Sequence, residues 1–176
     1  MLVVGMIGEY ARLTPDELAR ALADPDWAQE RVDYLRGYGE IETDDDPDGA
    51  DGRPPEPDLV AEVHKTWDIL RFLLSRAGAP VDVVLGGTVF AADDDWGYGP
   101  PRYLTPAEVA EASAFLSSTP YDDLLPHFDA AEMARTGVYP GVEQADLRWP
   151  ESWYENLVTF FAGAAKAGDA VVLWLD

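Results

Sequence analysis

Apolar positions along the chain follow two periods, which together predict short strands alternating with amphipathic helices. Gly5 to Leu13 reads as a first strand, with Tyr10 and Arg12 on one face and Glu9, Ala11 and Leu13 on the other. Thr14-Pro15-Asp16-Glu17-Leu18 then starts a helix. Thr14 is the N-cap, Pro15 takes the first helical position, Glu17 closes a capping box, and Leu13 and Leu18 form the hydrophobic staple. Leu104-Thr105-Pro106-Ala107-Glu108-Val109 repeats the device. Asp24-Pro25 caps a second helix that ends at Gly37 and Gly39.

From Leu59 to Ala77, Val60, Val63, Trp67, Leu70 and Leu74 recur at helical spacing, and Ile69, Phe72 and Leu73 widen the stripe. This segment is predicted to be a central helix. Val83-Val84-Leu85 and Arg102-Tyr103-Leu104 read as short strands. Short helices follow Thr119-Pro120 and Asp129. Trp149-Pro150 opens a last helix with Trp153, Leu157, Phe160, Phe161 and Ala164 on one face, and Gly168 ends it. Ala170 to Leu175 is apolar throughout, as expected of a strand covered on both faces. The expected class is α+β: a small mixed sheet of about three to four short strands packed with about six helices. At 176 residues the chain is expected to form a single domain, 1–176.

Residues 40–58 break this pattern. They carry nine acids, one base and four prolines with almost no apolar residue, the composition of a flexible acidic insert. Asp44, Asp46, Asp48 and Gly49 match the first half of a calcium loop. The position where that loop needs its bidentate glutamate is Pro55, so no calcium site is expected. The two Leu-Thr-Pro helix starts also align with each other, which the shared demands of strand-to-helix turns explain without an internal duplication.

Charge narrows the function. With 34 acids against 12 bases the net charge is −22, which argues against nucleic acid phosphates or an anionic membrane as partners and permits a basic protein partner or a cation. The absence of cysteine leaves no disulfide framework or thiol chemistry. No apolar run is long enough to span a membrane, and the first residues lack the basic region of a signal peptide. A cytoplasmic protein is expected.

The candidate chemistry lies in Leu85 to Leu116. Gly86-Gly87 marks positive φ or a close backbone approach. Trp96-Gly97-Tyr98-Gly99-Pro100-Pro101 is a shaped, non-helical loop. Read functionally, Trp96, Tyr98 and Tyr103 wall a ligand pocket and Arg102 is an anion-binding fork. Read structurally, the aromatics cap the edge of the core and Arg102 pairs with one of Asp93, Asp94, Asp95 or Glu108. Elsewhere His64 and Asp68 fall at i and i+4 of the predicted central helix, where they form an oriented base or, with Arg71, a surface ion cluster. Neither a nucleophile elbow, a phosphate loop nor a zinc-ligand cluster is present, so no cofactor, metal or catalytic residue is expected.

In order along the chain stand Gly5-Met6-Ile7-Gly8 with Tyr10 and Arg12; Lys65-x-Trp67 before Leu70-x-Phe72-Leu73; Leu85-Gly86-Gly87; Gly97-Tyr98-Gly99-Pro100 before Arg102-x-Leu104-Thr105; Tyr139-Pro140-Gly141; and Gly168-x-Ala170-Val171. In these words the chain resembles the YfbM-like family of small bacterial proteins over almost its full length. The resemblance implies an α+β cytoplasmic domain and carries over no catalytic residue. The expected function is therefore a non-catalytic binding or protein-interaction domain, an acidic partner that neutralises a basic protein. The alternative is a small-molecule binder or enzyme with its pocket at the Trp96–Arg102 loop.

Overall fold

The computed structural model describes residues 5–38, 54 and 56–176. The acidic insert and the calcium-like motif lie largely or wholly outside the described residues. The elements are β1 (Gly8–Leu13), α1 (Pro15–Ala23), α2 (Pro25–Leu35), β2 (Val60–His64), α3 (Trp67–Arg76), β3 (Thr88–Val89), β4 (Arg102–Leu104), α4 (Pro106–Ser118), α5 (Tyr121–Leu124), α6 (Ala130–Thr136), α7 (Glu151–Ala167) and β5 (Ala170–Leu175), with short 3-10 turns at Pro57–Leu59, Leu125–His127 and Gln144–Asp146.

Both predicted capping boxes form. Thr14 accepts from the Glu17 N–H while the Glu17 carboxylate accepts from the Thr14 N–H, and Thr105 and Glu108 do the same. Each box satisfies backbone donors that a helix start leaves open, and so fixes where α1 and α4 leave the sheet. Gly168 ends α7 in the left-handed region at φ +73°.

Among the described residues the sheet has five strands in the order β2-β1-β5-β4-β3. The class is α+β as expected, but every pairing is antiparallel, so the sheet is not mixed. Two sequence assignments change with it. Val60–His64, read as the first half of the central helix, is an edge strand paired to β1, and the helix begins only at Trp67. Val83–Leu85, read as a strand, is a turn: the Asp82 carboxylate accepts from the Val84 and Leu85 N–H groups, and the third strand falls at Thr88–Val89. The His64–Asp68 helical pair disappears as a result. His64 is on β2 and stacks on Trp153 of α7, 5.4 Å between ring centres, while Asp68 on α3 accepts from the Tyr139 N–H.

β5 is the axis of the molecule. Val171 and Leu173 face a core built with Tyr10, α3, α4 and α7, whereas Val172 and Trp174 face a second core with Ala11, Leu13, α1, α2, Phe90 and Trp96. The alternation predicted for β1 holds, with Tyr10 in the first core and Ala11 and Leu13 in the second. Among the described residues no helix is long and apolar enough to cross a membrane.

The Tyr10 hydroxyl is buried among Phe160 and Phe161 and has no hydrogen-bond partner among the described residues. Burial pushes its phenol up. A buried donor without a partner costs its full desolvation. Tyr10→Phe is therefore expected to raise stability by about 1 kcal/mol, measured by denaturant unfolding.

Candidate functional site

Of the four residues singled out around β4, Trp96 and Tyr103 both pack on Phe90, whereas Tyr98 is exposed and Arg102 projects to the other face of the sheet. Trp96 is 7% exposed and makes edge contacts with Phe90 and Trp174, at 5.9 and 5.6 Å between ring centres. It belongs to the second core. Tyr98 is 48% exposed. Its N–H donates to the Leu175 carbonyl, which ties the loop to the end of β5. The Asp95 carboxylate accepts from both the Gly97 and Gly99 N–H groups, which holds the Trp96–Gly99 turn. Arg102 and Tyr103 are neighbours on β4 and project to opposite faces of the sheet. Tyr103 packs against Phe90 on the second core. Neither Asp93, Asp94, Asp95 nor Glu108 pairs with Arg102: Asp95 is used by the loop and Glu108 by its capping box.

A different concavity lies between the edge strand β2 and helix α7. It is an open groove of about 460 Å³, lined among others by Val60, Ala61 and Glu62 on one side and Trp153, Asn156 and Thr159 on the other. Arg12 lies at its floor, 6% exposed. Its Nε donates to Asp169 Oδ2 at 2.9 Å, and its Nη1 donates to Asp58 Oδ2 at 3.2 Å and to the Asp58 carbonyl at 3.3 Å. The two carboxylates differ in setting: the Asp169 side chain is 3% exposed and that of Asp58 68%. Gly163 on α7 leaves room for the guanidinium, since a Cβ there would stand 3.1 Å from Nη1. Reading β1 as an alternating strand places Arg12 beside Tyr10. Its partners are 46 and 157 positions away, so the groove has no local sequence signal.

On the opposite face of the sheet, Arg36 Nη2 donates to Glu9 at 3.2 Å and to Asp176 at 3.1 Å. Glu9 is paired in register with Glu62 on β2. Burial raises the Glu9 carboxyl to about 7, with Glu62 and Asp176 adding to the rise and Arg36 opposing it. Because the folded value lies above the ordinary 4.5, the folded state holds a proton that the unfolded chain releases. Stability from Glu9 is present below about pH 4.5 and is lost as pH rises to about 7. Glu9→Gln is expected to leave stability little changed at acidic pH, raise it at pH 8 and flatten the curve between, as read from melting temperatures across pH.

The sequence profile of the domain of unknown function DUF1877 matches residues 4–174. The chain belongs to the DUF1877 family. A solved structure, the crystal structure of the protein of unknown function YfbM from Escherichia coli, superposes with a TM-score of 0.63 at 19% identity, covering 97% of this chain and 99% of that one. That likeness shows a shared fold. No curated protein matches the chain.

Three of the words behind the YfbM-like resemblance, those at Gly5–Gly8, Lys65–Trp67 and Tyr139, converge in space. The Met6 N–H donates to the Tyr139 hydroxyl at 3.1 Å, Trp67 Nε1 donates to the Met6 carbonyl at 3.2 Å, and the Trp67 and Tyr139 rings stack at 5.6 Å. A Cβ on Gly5 would collide with Lys65 and the Tyr139 hydroxyl, and one on Gly8 with Val63. In this DUF1877 chain those glycines, aromatics and the lysine thus form one packed node that fastens the start of β1 to α3 and to the Tyr139 turn. They serve the fold, and the groove beside α7 lies apart from them.

Proposed function

We propose that the chain is a non-catalytic interaction domain of the cytoplasm, an acidic partner that binds and neutralises a basic protein. The observation that carries this reading is how the charge of −22 is distributed. Arg12, Arg31 and Arg36 are drawn inward onto Asp169, Glu17 and Glu9, and Arg71, Arg76 and Arg148 at the surface are each held by an acid. Half of the chain's bases are thereby spent on its own carboxylates. Glu62, Asp93, Asp95, Glu111, Asp123, Glu143 and Glu155 remain exposed. Such a surface speeds encounter with a positive partner and makes it sensitive to salt. A pull-down from an extract of the source organism tests the reading. A basic protein is expected at low salt and in smaller amount at moderate salt; recovery of none at either would remove the proposal.

A second reading, an anion-binding site at the Trp96–Arg102 loop, is favoured by one observation: no carboxylate among the described residues pairs with the half-buried Arg102 guanidinium. Arg102→Ala then breaks no ion pair and is expected to change stability by under about 1 kcal/mol. A thermal-shift screen of wild type and Arg102→Ala against anionic metabolites separates the readings, because a ligand of the native state raises the melting temperature. A shift present in wild type and lost in the variant favours the anion site.

A further inference from the structure

Among the described residues the outer edge of β2 is open: β2 is the terminal strand of the sheet and pairs with β1 alone, through Gly8↔His64, Glu9↔Glu62, Tyr10↔Ala61 and Ala11↔Val60. In an antiparallel pair alternate residues turn their N–H and C=O groups toward the partner and the rest turn them away. Among the described residues the Val63 carbonyl accepts from the Thr66 N–H and hydroxyl, and no other backbone bond from outside the sheet reaches Val60–His64. An unpaired strand edge is a template for a further strand. Here the edge borders the groove, so an added strand would lie between β2 and the Trp153, Asn156 and Thr159 face of α7.

The charge of the rim selects the occupant. Asp58 and Glu62 line it and are exposed, and Arg12 at the floor is already held by Asp58 and Asp169. Trp153 and Phe160 supply apolar surface beneath. An extended segment presents its side chains alternately, so basic residues at every second position meet the acidic rim while the intervening ones pack on Trp153 and Phe160. A second copy of this chain fits poorly, because joining two β2 edges brings their Glu62 side chains and two chains of charge −22 together.

We propose that the groove between β2 and α7 receives an extended basic segment of a partner protein, which adds to the sheet as a sixth strand beside β2. This rests on the acidic-partner reading and names its contact surface. The probes are three synthetic peptides of equal length and charge: an alternating Lys-Val peptide, the same peptide N-methylated at every second residue, and a helix-forming basic peptide. Affinity is measured by calorimetry at low salt, with amide hydrogen exchange across residues 60–64. The alternating peptide is expected to bind and to slow exchange in β2. N-methylation, which removes backbone donors and keeps the charge, is expected to weaken binding at least ~10-fold. Thr159→Trp, which fills the groove from the exposed face of α7, is expected to weaken it as much. Equal binding of the methylated and unmethylated peptides, or of the helical and extended ones, overturns strand addition and leaves the acidic-partner reading standing. Binding of none of the three overturns both.

Discussion

Arg12→Ala is expected to cost about 3–5 kcal/mol, the loss typical when one member of a buried ion pair is removed. The magnitude follows from where the partners sit. Asp169 is 2% exposed, and taking away the guanidinium strips a nearly dry carboxylate of a bond at 2.9 Å. Asp58→Ala, which removes the other carboxylate, is expected to cost under about 1 kcal/mol, because a pair with a largely exposed member is screened by water. Replacing Arg12 and Asp169 together by apolar residues of similar volume should recover most of the loss, since the desolvation of both charges is then avoided. Urea unfolding of the three variants checks the order. An Arg12→Ala protein as stable as wild type would show that water reaches Asp169 and that the groove floor is not closed.

Gly87→Ala is expected to cost about 3 kcal/mol, from two separate causes. Gly87 holds φ at +75°, where a Cβ is strained. A Cβ there would also run into the Tyr103 carbonyl and the Leu104 side chain. Tyr103 is paired to Thr88 across β3 and β4, so the clash falls on backbone that cannot move without opening the strand pair. By contrast Gly99→Ala meets nothing nearby, although its φ of +113° leaves the conformational strain, so it should cost less. Thermal melts of the two variants give the comparison. Equal losses would show that the β3–β4 pair yields easily.

The parts of the fold that were legible in the sequence are those decided by neighbours in the chain. Thr14 with Glu17 and Thr105 with Glu108 are capping boxes because their partners stand three residues away, and the demand at Gly86-Gly87 is met by the positive φ of Gly87. The errors arise where local pattern is degenerate. Val60 and Val63 sit three apart and so extend the stripe of α3 backward, yet five residues are too few to separate a helical period from a strand. Val83–Leu85 has strand composition, but the Asp82 side chain captures its N–H groups and makes a turn.

The site was less legible for the same reason. Trp96 next to glycines suggested a pocket wall. Its burial depends on Trp174, which lies in the last strand and meets it only after β5 has entered the sheet. Arg12 was placed on the correct face of β1, but its role at the groove floor needs Asp58, Asp169 and the missing side chain of Gly163, which only the fold brings together.

The acidic-partner account is tested most directly by the salt dependence of association between the chain and the basic protein it retains from an extract. The account predicts that the association rate falls at least ~10-fold between about 20 mM and about 200 mM salt, with a much smaller change in dissociation. An association rate that does not change with salt would contradict it.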